Sequence, residues 1–424
     1  MRRLRVLSAL LLVAVFVGIP AFAGGGSEQG ASGTKAVTLR FLNSMTPDKA
    51  EAFGLILAEF QKERPNVKVE LESVAFQNYR DILKTRFAAG DIPDMLYWGP
   101  KENRDLVDAG RILDLSGQPF LDSFTDDTLK SVEVNGKPYG LPYDLLALGI
   151  YYNKDIFAQA GVQVPKTFNE LIQVCQTLKS KGITPFAEGF KDGWAAQVDY
   201  QSDLYSTLWK TPNIFRDITA GTKNYADFPE VKAAFERFAK RMQYAQPNPL
   251  DTTNEQAIDL FATGKTAMIA HGAFALASIR KISPNGNFGF LPNFSSNTPG
   301  ESRIMVGSDT IFMIASESEH KDVALALFTK IATPEVAKLW AQKLNNLSAV
   351  IGATPEATDP ALKDMKAFID SGKAFNIYSI DILTGQLDDV WRKTQEQFAA
   401  DPNRDPAAYI KKLDDSLANI RKSS

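Results

Sequence analysis

Residues 37–99, VTLRFLNSMTPDKAEAFGLILAEFQKERPNVKVELESVAFQNYRDILKTRFAAGDIPDMLYWG, decide the fold. In "VTLRFLN", Val37, Leu39 and Phe41 alternate onto one face, the mark of a strand. In "DKAEAFGLILAEFQKERP", Ala52, Phe53, Ile56, Leu57 and Phe60 recur at helical spacing until Pro65 ends the run. "NVKVELESV" reads as a second strand, "YRDILKTRFAAG" as a helix closed by Gly90, and "DMLYWG" as a third strand. Strand, helix, strand, helix, strand predicts a doubly wound α/β opening with parallel strands. Ligands of such sheets bind at the carboxyl ends of the strands. Asn43 and Ser44 follow the first strand and Trp98 and Gly99 the third, so both pairs are expected on one rim.

Further on, "SVEVNGKPYGLPY" predicts a hairpin, because Asn135-Gly136 suits the type I′ turn between short strands. Beyond Tyr152 the pattern is helical. "PKTFNELIQVCQTLKSKG" carries a capping box, Thr167 with Glu170, and an apolar stripe of Phe168, Leu171, Ile172, Cys175 and Leu178. Residues 190–300 read as mostly helical with aromatic-rich loops, "ESRIMVGSDTIFMIAS" as strand, and the remainder as helices. About 400 residues exceed the usual size of one core, so two lobes are expected.

The amino terminus reads as an export signal, not as fold. Arg2, Arg3 and Arg5 precede an apolar run at 6–19, and "AFA" at 21–23 is a small-residue cleavage site, so cleavage is expected after Ala23. The run is short against the roughly 20 residues of a membrane span. Gly24 stands where a lipid-anchored protein has cysteine, so a freely soluble exported chain is expected, with 24–36 a Gly/Ser-rich flexible tether. Losing three arginines takes the formal charge from −3 to −6. Mild acidity without a basic patch argues against nucleic acid and anionic membranes as partners. The single Cys175 cannot form an internal disulfide and falls on the apolar helix face, as a core thiol would.

Catalytic and metal motifs are weak. Gly264-Lys265-Thr266 lacks the glycine that a phosphate-binding loop needs at 259, which is Asp. Two histidines are too few for a histidine metal cage, and no G-x-S-x-G elbow occurs. Acidic doublets such as Asp126-Asp127 and Asp388-Asp389 read as solvated surface. No metal or cofactor is expected. What stands out is aromatics beside polar residues in loops: "MLYWGP", "LPYD", "FKDGWAAQVDY" and "AHGAF". Aromatic faces stack on the C–H face of a sugar ring, and planar Asp, Asn and Gln side chains match paired hydroxyls. Hydrogen bonds to a charged partner contribute roughly 1.5–3 kcal/mol each, so a few with stacking reach the roughly −8 kcal/mol of micromolar binding.

"FQKERPNVKV", "AAGDIPDMLYW", "GRILDL", "GKPYGLPY", "YYNKDIFAQAGVQVPKTFNEL", "LKSKGITPFAEGFKDGW", "LFATGKTAMIAHGAF" and "FGFLPNF" occur in this order, and 136–171 is the most specific run. With them the chain resembles the extracellular solute-binding proteins of family 1, the carbohydrate-binding component of ABC importers. The resemblance implies an α/β protein of the type II periplasmic-binding fold, with two discontinuous lobes around a hinged ligand cleft. The first lobe would hold 37–144 and 306–348, the second 145–305 and 349–424, with crossings near 143–146, 305–309 and 348–352. It implies a monomer in the periplasm, not an enzyme, that takes a carbohydrate ligand and passes it to ABC transporter permease subunits in the inner membrane.

Carried over residue by residue, Asn43, Ser44 and Met45 match the polar loop after the first strand. Gln77 lies in the segment that supplies a hydroxyl partner, and Trp98 matches a cleft aromatic. Asp144 sits at the first crossing, and Trp194 matches the aromatic of the "dgW" element. Phe274 replaces a stacking tryptophan and so offers no N–H donor. Asp309, at the second crossing, replaces a small residue and can accept from hydroxyls. Tyr378 and Trp391 are further candidates near the carboxyl end. A polyol phosphate is the alternative ligand, with Lys101, Lys191 and Arg303 as its cations; a secreted carbohydrate-active enzyme is the reading from another class.

Overall fold

The first five elements follow the order read from the sequence: β1 (Val37–Asn43), α1 (Pro47–Glu63), β2 (Val67–Ser73), α2 (Phe76–Ala89) and β3 (Met95–Tyr97). A computed structural model describes residues 36–356, 359–383 and 385–423. The expected export signal and nearly all of the expected tether lie outside the described residues. β1 runs between β2 and β3, parallel to both. α1 begins where the Thr46 hydroxyl accepts the Lys49 N–H, with Pro47 at its first position, where a missing N–H costs nothing. α2 stops at Gly90, whose left-handed backbone closes the last turn. Leu39, Phe41, Phe53, Ile56 and Phe60 are buried together, which is why these periodicities were readable.

Later segments complete this sheet. Ile311–Ile314 lies antiparallel to β3, and Leu141–Pro142 pairs beyond it at the edge. The hairpin forms between Glu133–Val134 and Lys137–Pro138, with positive φ at both Asn135 and Gly136 as the turn type requires.

A second sheet is built on the strand Leu145–Asn153. On one side it pairs with Thr266–Gly272; on the other it pairs first with Ile304–Ser308 and then with Phe288–Leu291. Ala374–Asn376 and Thr184–Ala187 are its outer strands. Thr266–Gly272 contradicts the helical reading of its region. All seven of its residues are buried, so it shows no alternation, and a strand covered on both faces reads like any apolar run. The helix Phe168–Ser180 packs its stripe, including a fully buried Cys175, against this sheet. Half of its capping box forms: Thr167 accepts the Glu170 N–H, but the Glu170 carboxylate takes the N–H of Lys166 instead of the cap residue's.

The chain passes between the sheets three times. At the first passage, Tyr143 N–H donates to Thr310 O at 2.8 Å, and Leu145 N–H to Leu347 O at 3.0 Å. The second comes between Ser308 and Ile311. The first lobe therefore regains the chain three residues later than the expected 306, because 305–308 are in register with 148–145 of the second sheet. At the third passage, Ala349, Val350 and Ala353 still pack in the first lobe's core, while Leu347 belongs to the second's, so the expected cut at 348 is blurred by interleaving.

Two glycines test this packing in opposite directions. A Cβ on Gly149 would lie 2.3 Å from Leu291 O and 2.7 Å from the Phe290 ring, a clash with backbone that cannot swing away. Gly149→Ala is expected to lower unfolding stability by about 1–3 kcal/mol. Gly54, inside α1, has nothing within 4 Å of that position, so Gly54→Ala should raise stability by about 0.4–1 kcal/mol. Urea denaturation of the two variants checks both signs.

Candidate functional site

The carboxyl ends of the two sheets carry aromatic groups. In the first lobe, Trp98 follows β3 and is partly exposed; its ring packs edge-on against Phe76 at 4.8 Å and Tyr79 at 6.3 Å. Its backbone sits at φ 77°, a costly conformation for a bulky residue and a mark of a constrained site. Phe76, 39 % exposed, was not singled out from the sequence; its place just after a strand was the available signal. In the second lobe, Trp194 opens the helix Gly193–Tyr205, and its ring lies 5.9 Å from His271 and 6.1 Å from Phe274. Arg241 pairs with Asp199 at 2.5 Å, both about 1 % exposed, and so anchors that helix from behind.

Polar side chains connect the two groups. Tyr378 Oη donates to Glu102 Oε1 across the lobes at 3.1 Å, and Lys101 Nζ donates to the Tyr378 carbonyl at 3.1 Å. Asn376 Nδ2 donates to Asp127 O at 2.7 Å. Arg80 of α2 approaches Asp389 at 3.9 Å. Arg392 is bound to Asp388 at 2.7 Å and donates to Gln197 Oε1 at 3.2 Å. Burial pushes the Glu102 carboxyl upward, and its Oε2 has no hydrogen-bond partner. Two sets of elements far apart in sequence thus meet at one wall. Glu102, Arg392 and Gln197 had no sequence signal beyond being polar.

The candidates from the sequence fall into three groups. Trp98, Trp194, Phe274, Tyr378 and Ser44 are partly exposed; Tyr378 reaches the other lobe through Glu102, and the buried Oγ of Ser44 has no hydrogen-bond partner. Asn43 and Asp144 are turned inward. Asn43 is fully buried, donates to Phe41 O, and accepts from Met45 N–H and Ser73 Oγ, so it closes the end of β1. Asp144 is also fully buried. It accepts from Thr310 N–H at 2.7 Å, Thr310 Oγ1 at 3.1 Å, Trp340 Nε1 at 3.3 Å and Asn346 Nδ2 at 3.4 Å. These donors saturate its oxygens, so the expected ligand contact at Asp144 is replaced by a structural one.

Asp309 stands between these groups. It is partly exposed and ion-paired to Lys49 at 2.5 Å. Trp391 is 1 % exposed and stacked on Tyr225 at 5.2 Å, a core residue and not a candidate contact. Gln77 falls in the first turn of α2; its side chain lies outside the described part of the structure. Among the described residues no group of three or more His, Cys, Asp or Glu is placed to hold a metal ion, and no helix is long and apolar enough to cross a membrane.

A family model for bacterial extracellular solute-binding proteins matches residues 46–338. The chain belongs to that family. This solute-binding protein is 24 % identical over 365 residues to the multiple sugar-binding protein of Streptococcus mutans, covering 79 % of this chain and 80 % of the relative. It is 24 % identical to a melibiose/raffinose/stachyose-binding protein of Bacillus subtilis, over 75 % of this chain and 76 % of that one. Among solved structures, a chitin oligosaccharide binding protein superposes with a TM-score of 0.77 at 23 % identity, covering 91 % of this chain and 99 % of the other. The fold is the type II periplasmic-binding fold, in which two lobes enclose a cleft.

His271 supports the second lobe's aromatic wall as a neutral ring. Nδ1 accepts the Gly272 N–H at 2.8 Å, so the proton sits on Nε2 and is donated to Asn254 Oδ1 at 2.8 Å. Burial pushes the imidazole down to about 4. The unfolded chain titrates near 6.5, so between those values the unfolded state binds a proton that the native state refuses. This contribution is full above about pH 6.5 and is lost as pH falls toward 4, by about 3 kcal/mol in total. Unfolding stability measured at pH 7.5 and 4.5 should fall by up to that much more in the wild type than in His271→Gln. Equal pH dependence in the two proteins would contradict the neutral ring.

Proposed function

We propose that this protein captures a neutral oligosaccharide between its lobes and hands it to the permease of an ABC importer. One observation carries the reading: partly exposed aromatic groups on both lobes, Trp98 with Phe76 and Trp194 with Phe274, flank a wall of hydrogen-bonding side chains. Sugar rings stack on such faces, while Ser44 and Glu102, each with an unpartnered oxygen, are suited to hydroxyls. The relatives named for sugars support the same class. A ligand that touches both lobes only when they are together favours that arrangement by its differential affinity, which makes lobe closure the binding step. The protein acts as an exported monomer in the periplasm and as a carrier, not a catalyst.

Charge in the cleft disfavours the polyol phosphate. Lys101 already donates to the Tyr378 carbonyl and faces Glu102, and Arg392 is bound by Asp388. Arg303 lies over the Trp209 ring at 4.0 Å, within the second lobe. An anion would have to displace these partners.

Titration calorimetry against raffinose, stachyose and chitin oligosaccharides tests the reading. At least one is expected to bind, with Trp98→Ala and Trp194→Ala each weakening it about tenfold or more, roughly 1.4 kcal/mol. Heat with none of the sugars, or variants that bind as the wild type does, would sink it.

A further inference from the structure

The three chain passages between the lobes meet at one side chain that no sequence motif marks, Lys49. Lys49, in the first turn of α1, is 8 % exposed at its side chain. Its Nζ lies 2.5 Å from Asp309 Oδ2, 2.8 Å from Thr310 Oγ1, 3.4 Å from Tyr97 Oη and 3.6 Å from Asp144 Oδ2. Asp144 belongs to the first passage and Asp309 and Thr310 to the second. Asp144 also receives Asn346 Nδ2 and bridges to Ser348, which belong to the third.

Among the described residues, the ammonium and its two carboxylates form the only ion pairs of these passages. Burial works against the Lys49 charge, but Asp144 and Asp309 outweigh it and hold the amine well above its ordinary range. The two acids differ in access. Asp144 is sealed, whereas Asp309 is 27 % exposed at its side chain. The Tyr378 ring packs over Gly307, where an added Cβ would lie 3.0 Å from it, and Asp309 follows two residues later, which brings the second passage beside the wall between the lobes. Lys49 engages Oδ2 of Asp309, and Oδ1 accepts no hydrogen bond from the described residues.

We propose that Lys49 is the pin of the hinge and a positioning residue for Asp309: it ties the passages at one point and presents one carboxylate oxygen to the bound solute. The lobes then swing about a fixed point, and the Asp309 oxygen keeps its place while the walls move. The part that concerns sugar rests on the oligosaccharide reading; the pin does not.

The test separates the two. Lys49→Met alone strands a buried charge on Asp144 and is expected to destabilise the fold. Lys49→Met/Asp144→Asn removes both charges, and Asp309→Asn keeps the buried Lys49–Asp144 pair, so these two variants carry the experiment. Spin labels on Ala58→Cys in α1 and Gln173→Cys in the second lobe report the interlobe distance, since both sites are exposed and Cys175 is buried and stays unlabelled. In the ligand-free protein each variant should show a distance distribution about twofold wider than the wild type's, because fewer molecules hold the competent arrangement. Calorimetry with raffinose and chitotriose should show binding about tenfold weaker at a melting temperature close to the wild type's. Distributions as narrow as the wild type's in both folded variants would overturn the pin. Unchanged sugar affinity beside widened distributions would overturn the positioning of Asp309. Failure of the wild type to bind either sugar would count against the oligosaccharide reading, and the distances would still decide the pin.

Discussion

The hinge rests on one buried ammonium. Taking Lys49 out of water is costly unless opposite charge and hydrogen bonds meet it, and two carboxylates and two hydroxyls supply that. The same contacts satisfy Asp144, which would otherwise be a buried acid among Tyr143, Phe312 and Trp340. Removing Lys49 alone would leave the sealed Asp144 carboxylate without its counter-charge. The passages between the lobes are therefore an ordered polar joint, and two α/β lobes with separate cores can move about it as bodies.

The cleft follows from the strand directions. Parallel β1 and β3 deliver Ser44 and Trp98 to the same end of one sheet, and Thr184–Ala187 leads into the loop and helix that carry Trp194 in the other. Tyr378, Glu102, Lys101, Asn376 and Asp127 join the lobes directly. Each such contact lowers the free energy that a solute must supply to bring the walls together. Affinity then reflects both the contacts made by the solute and the contacts the lobes make with each other.

Much of this was legible from the sequence, and the failures have physical causes. α1 and β2 declared themselves by period, because each buries one face, and β1 by the alternation of Val37, Leu39 and Phe41, although Leu42 on its other face is buried as well. The hairpin declared itself by Asn135-Gly136, because few other pairs accept two positive φ values. Thr266–Gly272 hid, because a strand buried on both faces has no period to show. Asp144 and Asp309 stand out in the sequence as charges at crossings, the first where nothing apolar explains it and the second in place of a small residue. Their meaning was not legible, because the cation that engages Asp309 lies 260 positions away on α1. Trp391 illustrates the opposite error: an aromatic near the carboxyl end suggested a contact, but it fills a core with Tyr225 and Phe215. Local chemistry shows which residues are unusual; only the fold shows what they face.

The most direct measurement is a crystal structure of the protein with the oligosaccharide it binds most tightly. The account requires sugar rings on the faces of Trp98 and Trp194, a hydroxyl on Asp309, and the Lys49–Asp144–Asp309 contacts intact. A ligand seated away from those two tryptophans, or a closed complex in which Lys49 has left both carboxylates, would contradict it.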